Sequence, residues 1–183
     1  TQKSTLLKDI WVGHMSGMSS APYFNKINNK IYFIASDNSS YKQIWETDGT
    51  AAGTQKVKDL TSNYETIAQV AGNKFFIFSN NALSVYNPVN NELTLLKTFE
   101  YTSGTMKLET FNNQLFLAAN DGASGKEIWK SDGTVAGTTL LKDIAIGNGS
   151  SILNEFKILT LNNGKFYFIA NTATGYQLYE SNG

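Results

Sequence analysis

The stretch Ile44-Trp45-Glu46-Thr47-Asp48-Gly49-Thr50-Ala51-Ala52-Gly53-Thr54 returns as Ile128-Trp129-Lys130-Ser131-Asp132-Gly133-Thr134-Val135-Ala136-Gly137-Thr138. Each copy runs into a similar segment, Val57-Lys58-Asp59-Leu60 in the first and Leu141-Lys142-Asp143-Ile144 in the second. Each is preceded by an apolar run that follows an Asn-rich turn: Lys30-Ile31-Tyr32-Phe33-Ile34-Ala35 and Gln114-Leu115-Phe116-Leu117-Ala118-Ala119. Two further runs, Lys74-Phe75-Phe76-Ile77-Phe78 and Lys165-Phe166-Tyr167-Phe168-Ile169-Ala170, have the same character. Anchored on 30, 74, 114 and 165, the spacings are 44, 40 and 51, and wrapping from 165 round to 30 adds 48. The 183 residues therefore divide into four units of about 46, a period that marks repeat architectures.

Each unit reads as four short strands. In the first, Tyr23–Asn28 alternates, Asn28-Asn29 turns the chain, and Lys30–Ser36 is nearly continuously apolar. Lys42–Asp48, an Asp-Gly turn and Gln55–Leu60 follow. The first turn of each unit is built from Asn28-Asn29, Gly72-Asn73, Asn112-Asn113 and Asn162-Asn163-Gly164, residues that tolerate the positive φ of a tight hairpin. Second strands apolar on both faces need cover on both sides, which stacked blades provide. The expectation is an all-β, four-bladed β-propeller with four antiparallel strands per blade. It forms a single domain over 1–183, with blades near 23–60, 66–99, 106–144 and 155–183. An eight-stranded barrel would demand longer, strictly alternating strands and no four-fold repeat.

The fourth unit stops at Tyr179-Glu180-Ser181-Asn182-Gly183, and a matching outer strand stands at the other end of the chain, Thr5-Leu6-Leu7-Lys8-Asp9-Ile10. Residues 5–10 are thus expected to complete the last blade and close the ring, removing an open sheet edge. A cut from a longer array would leave the same pattern.

Composition narrows the function. The chain is neutral, with 15 Lys+Arg against 15 Asp+Glu, and every cation is lysine. That argues against a nucleic-acid partner, which calls for a basic face and guanidinium forks. With no cysteine and one histidine, thiolate chemistry and an ordinary zinc site are not expected. His14 has no accompanying Ser-elbow or fixed acid for a triad. No apolar run of 18 exists for membrane insertion, and Thr1-Gln2-Lys3-Ser4 has no apolar targeting core.

The Trp-x-x-Asp-Gly-Thr-x-x-Gly-Thr element resembles the ELWxxDGT repeat of bacterial secreted and surface proteins. Units one and three carry it nearly whole, with Ile44 and Ile128 at the leucine position and Gln43 in place of the glutamate that Glu127 keeps. Unit four keeps Leu178-Tyr179-Glu180-Ser181-Asn182-Gly183. Unit two departs most, and Val85-Tyr86-Asn87-Pro88 looks kelch-like. The resemblance implies a propeller-type module of an exported bacterial protein, at the cell surface, outside the cell or in the periplasm. It implies no defined activity and no catalytic residues.

Asp48-Gly49-Thr50 and Asp132-Gly133-Thr134 each supply one carboxylate, where a calcium loop needs oxygens at alternating positions. They are read as structural Asx-type turns, with glycine taking positive φ. Trp45, Tyr86, Trp129 and Tyr179 hold equivalent strand positions and are read as inter-blade packing, with sugar stacking as the alternative. Asp37, Asp121 and Glu155 are candidate carboxylates for glycoside hydrolysis, although no spacing selects a pair. No catalytic residue, cofactor or metal is expected.

Loops after the second and fourth strands of each unit share one face. The longest, Trp11–Pro22, holds Trp11, His14, Met15 and Met18, and exposed apolar clusters of this kind tend to mark contact sites. The alternative is a plug in the mouth of the ring. Tyr41, Tyr64 and Tyr101 belong to the same face and suit a protein or glycan partner. The expected function is a non-catalytic binding or structural module acting through these loops in protein–protein interaction. A lectin-like propeller is the alternative, followed by a glycan-active enzyme or half of a larger propeller.

Overall fold

Hairpin turns of asparagine and glycine organise the chain. The computed structural model describes residues 4–12, 23–37, 39, 41–62, 64–101, 106–153, 156–161 and 163–183. Positive φ occurs at Asn28 (53°), Gly72 (59°), Asn112 (48°), Asn113 (61°) and Gly164 (71°), each between the first two strands of a unit. Asn80 and Asn81, at 51° and 59°, make a further two-residue hairpin of the primed type.

Fifteen strands result, all in antiparallel pairs, with no helix among the described residues. The first sheet contains β1 (Asn25–Ile27), β2 (Lys30–Ala35), β3 (Gln43–Thr47) and β4 (Gln55–Asp59). The second contains β5 (Thr66–Ala71), β6 (Lys74–Ser79), β7 (Ala82–Asn87) and β8 (Glu92–Thr98). The third contains β9 (Leu108–Phe111), β10 (Gln114–Asn120), β11 (Lys126–Ser131) and β12 (Thr139–Lys142). The fourth has three strands, β13 (Leu159–Leu161), β14 (Lys165–Thr172) and β15 (Gly175–Ser181). Within each sheet spatial order follows chain order, as in a meander.

Side-chain alternation on the second strand explains how the sheets stack. Tyr32 and Ile34 leave one face of β2 and meet Phe75 and Ile77 of β6. Phe76 and Phe78, from the opposite face of β6, meet Leu115 and Leu117 of β10. Phe116 and Ala118 then meet Phe166 and Phe168 of β14. The same face of each sheet packs on the opposite face of the next, three times in succession. Strands β6 and β10 are accordingly buried on both faces through their middles, whereas β14 alternates between covered and exposed positions.

The expected ring closure is not what the structure holds. Residues 4–9 form no strand, and among the described residues β15 pairs only with β14. The N-terminal segment lies instead on the free face of the first sheet, where Ile10 packs against Phe33, Ala35 and Trp45. Lys8 Nζ donates to the Thr54 carbonyl at 2.8 Å and stands 5.9 Å from the centre of the Trp45 ring. Burial of Ile10 and the lysine–indole contact hold the segment there. No apolar cluster joins the fourth sheet to the first among the described residues.

Candidate binding face and the repeat loops

Loops at the two ends of the sheets do different work. At the end carrying the third-to-fourth-strand loops, the two motif copies adopt one hydrogen-bond pattern. Asp48 Oδ1 accepts from the Thr50 backbone N–H at 2.9 Å and from Thr50 Oγ1 at 2.7 Å. Gly53 N–H donates to Thr50 Oγ1, Thr54 Oγ1 donates to the Thr50 carbonyl, and Gly49 N–H donates to Thr47 Oγ1. The second copy repeats this with Asp132, Thr134, Gly137, Thr138, Gly133 and Ser131. Gly49 and Gly133 sit at φ 90° and 86°, a conformation suited to glycine. The Thr50 hydrogen bonds draw the Asp48 carboxyl below the usual carboxylate range, and Thr134 does the same for Asp132. The hydrogen bonds to each aspartate carboxylate come from its own loop, while the Asp132 carbonyl also accepts from Lys74 Nζ at 2.5 Å, and among the described residues no three His, Cys, Asp or Glu side chains are grouped to hold a metal.

Tyr86, Trp129 and Tyr179 lie between sheets, whereas Trp45, expected to pack between blades, lies on the free face of the first sheet beneath Ile10. Trp45, Tyr86 and Trp129 are buried, and half-buried Tyr179 stacks on Phe168 at 5.6 Å. Lys97 Nζ lies 4.5 Å above the Trp129 ring, and Phe99 meets that ring edge-on at 5.3 Å. Rings as buried as Trp45, Tyr86 and Trp129 have no free face for a sugar to stack on.

Two buried polar residues, passed over in the motif reading except as a departure from pattern, organise loops on the other end. Gln43 is fully buried; its Oε1 accepts from Asp37 N–H at 2.9 Å, and its Nε2 donates to Asp37 Oδ1, Ser39 Oγ and the Tyr41 carbonyl. Glu127, at the equivalent place and also fully buried, accepts from the backbone N–H groups of Ala145 and Ser151 at 3.1 Å and from Ser151 Oγ. The signal in the sequence was a polar residue immediately before Ile-Trp in a strand otherwise expected to be apolar.

The candidate residues on that end separate into groups. His14, Met15 and Met18 lie outside the described residues, as does Glu155. Trp11 is half-buried, and Tyr41 is exposed above the first sheet. Tyr64 and Tyr101 come together at one cleft of about 310 Å³ between the second and third sheets. Ile67, Phe78 and Met106 give it an apolar lining, and Glu65, Asn80 and Asn81 contribute polar groups. Both tyrosines are strongly exposed, at 63% and 79%. Below them Phe99 N–H donates to the Asn81 carbonyl, and Glu100 N–H donates to Asn120 of the third sheet, both at 2.8 Å. Asp37 and Asp121 stand apart from this cleft: Asp37 is held by Gln43 and by Lys56 at 3.2 Å, and Asp121 accepts from Ala123 and Ser124 N–H.

No protein-family model matches the chain, and no curated protein matches it in sequence. Among solved structures, a chain from a structural and mechanistic analysis of two prolyl endopeptidases is similar, with a TM-score of 0.53 at 12% identity. That likeness covers 87% of this chain and 26% of the other. TolB from Acinetobacter baumannii gives 0.49 at 15% identity, over 90% of this chain and 44% of that one. This chain therefore spans less than half the length of either. The first likeness, together with four meandering sheets stacked face to face, makes this a β-propeller-type module.

Proposed function

We propose that the chain is a non-catalytic binding module of an exported protein and that it takes a protein partner in the cleft between its second and third blades. The supporting observation is the convergence of Tyr64 and Tyr101, from two separate inter-blade loops, over one apolar floor. Exposed tyrosines bury large area at low conformational cost and are enriched in protein-contacting surfaces. A loop of the partner presenting an apolar or aromatic side chain fits a cleft of this size, with Asn80, Asn81 and Glu65 able to hydrogen-bond the partner's backbone.

A glycan is the second reading, favoured by the same amide and carboxylate groups flanking two aromatic rings. Peptide-display selection on the wild-type protein and a glycan array, each repeated on Tyr64→Ala/Tyr101→Ala, separate the two. Ligands from one source should lose about 30-fold or more in affinity on the double variant, in line with removal of an aromatic anchor. Ligands that bind the variant equally well would move the site elsewhere.

A further inference from the structure

The cleft between the second and third blades carries one charge, and it is negative. Among its lining residues only Glu65 is charged, the rest being tyrosines, amides and apolar side chains. Glu65 is exposed, and among the described residues no lysine stands within ion-pair distance of it. Other carboxylates have a lysine of their own: Lys30 lies 2.7 Å from Glu46, Lys56 3.2 Å from Asp37 and Lys165 2.5 Å from Glu180. The lysines that flank Tyr101 in sequence are engaged elsewhere. Lys97 Nζ lies over the rings of Phe99 and Trp129, at 5.8 and 4.5 Å. Burial pushes the Glu109 carboxyl up, and Lys107, beside Met106, opposes that shift from close by.

The acid is also held in place. Thr66 Oγ1 donates to the Tyr64 carbonyl at 3.0 Å, and Ser79 Oγ lies 2.9 Å from Thr66 Oγ1 and 3.4 Å from the Glu65 carbonyl oxygen. These contacts tie the backbone of Tyr64 and Glu65 to the strand that leads into Asn80 and Asn81. The field of Glu65 reaches Tyr23 as well: burial first, and the Glu65 charge second, push that phenol above its usual range. Tyrosine rings are negative on their faces and attract ammonium and guanidinium groups. A purely apolar anchor would strip water from Glu65 and give it no partner, and an anion would be repelled. A neutral sugar would hydrogen-bond the carboxylate but leave its charge unmatched. A long basic side chain meets every part of the cleft at once. Its methylene stem can lie along Ile67, Phe78 and Met106 while its charged head stays with Glu65 and the rings.

We propose that the protein partner brings a lysine or arginine into this cleft beside its apolar contact, with the cationic head on Glu65 and the exposed rings of Tyr64 and Tyr101. The proposal rests on the reading of this cleft as the contact site and names the chemistry of the group that enters it. The partner segment is therefore basic, and attraction to Glu65 selects it against acidic segments.

An array of synthetic peptides probed with the full chain tests this. Each peptide carries a central leucine or phenylalanine in a glycine–serine frame, flanked by lysine, arginine, glutamine or glutamate. Lysine and arginine peptides should bind about tenfold more tightly than glutamine ones, within the reach of a cation set on aromatic rings, and glutamate peptides should bind least. Glu65→Gln should bring the basic peptides down to the glutamine level. Glu65→Lys should reverse the order in favour of glutamate, a reversal that loss of folding does not produce. Two results would overturn this proposal alone: peptides that bind without a basic preference yet are lost on Tyr64→Ala/Tyr101→Ala, or a preference that survives Glu65→Gln. No bound peptide at all, or binding that the tyrosine double variant keeps, would overturn the cleft as a protein-contact site and this proposal with it.

Discussion

Gly53 lies directly beneath the Asp48 carboxylate: a Cβ added to Gly53 would fall 2.0 Å from Asp48 Oδ1. The second copy has the same relationship, 2.1 Å between Gly137 and Asp132. The second glycine of the motif is therefore required by close approach to a side chain. Gly137→Ala must displace Asp132 and break its hydrogen bonds to Thr134. A fall in melting temperature of about 2–4 °C is expected, the shift that a loss of about 1 kcal/mol gives in a domain of this size. In an Asp132→Ala background the same substitution should cost little. Equal costs in both backgrounds would show that the glycine serves some other contact.

The motif carboxylates also make stability depend on pH. Asp48 and Asp132 are held below the usual range chiefly by threonine hydroxyls and N–H groups that favour the ionised form. Their folded pKa lies below the unfolded value of about 3.9, so they contribute full stability above that value and lose it as pH falls through the folded pKa. Melting temperatures recorded from pH 7 to pH 3 should stay level at first and then drop below about pH 4. Asp48→Asn/Asp132→Asn keeps the accepting oxygen but removes the titration, so its acid slope should be shallower. An unchanged slope would assign the acid sensitivity to other carboxylates, with Asp37 and Glu46 next in line.

Much of this arrangement was legible in the sequence because hairpin turns and strand faces are local properties. Asn28, Gly72, Asn112 and Gly164 declare their turns through backbone conformation alone, and the doubly apolar run at Phe75–Phe78 declares burial on both faces. The fate of residues 5–10 was not legible. Leu-Lys-Asp-Ile specifies an outer strand and a lysine–indole contact, but the indole that it meets belongs to the following blade, Trp45, and no local signal says whose sheet the strand joins. The cleft was half legible for a similar reason. Tyr64 and Tyr101 read as members of one face, but their meeting depends on the packing of Phe78 against Phe99 and Trp129. Tyr41, with the same sequence signature, is exposed but does not line that cleft.

Glu127 is fully buried with three hydrogen-bond donors from the segment 145–151, so its removal should release that segment more than the blade. Glu127→Ala leaves those donors unpaired, and a loss of about 3 kcal/mol is expected for breaking such a buried network. Glu127→Gln should be much milder, since Gln43 fills the equivalent place in the first blade and Ser151 Oγ can turn to accept from the amide. Hydrogen exchange provides the readout: faster exchange at Ala145 and Ser151 in the alanine variant, with near wild-type protection in the glutamine variant. Global loss of protection across β10 and β11 would contradict a role centred on the loop.

Phe99 tests whether the cleft depends on the joint between blades. Its ring lies 6.2 Å from Phe78 in the second blade and 5.3 Å from Trp129 in the third, while its N–H and that of Glu100 pin the chain leading to Tyr101. Phe99→Ala removes the ring that bridges the blades and should cost about 3–5 kcal/mol, as for other buried phenylalanines. Phe99→Leu keeps most of the volume and should cost under about 2 kcal/mol, yet it loses the edge-on contact with Trp129. If the ring positions the loop, Phe99→Leu should weaken ligand binding at Tyr101 more than its stability loss accounts for. Titration of any ligand found by selection, at a temperature where the variant is fully folded, measures this directly. Wild-type affinity in Phe99→Leu would mean that the two backbone hydrogen bonds suffice to place Tyr101 without the aromatic joint beneath it.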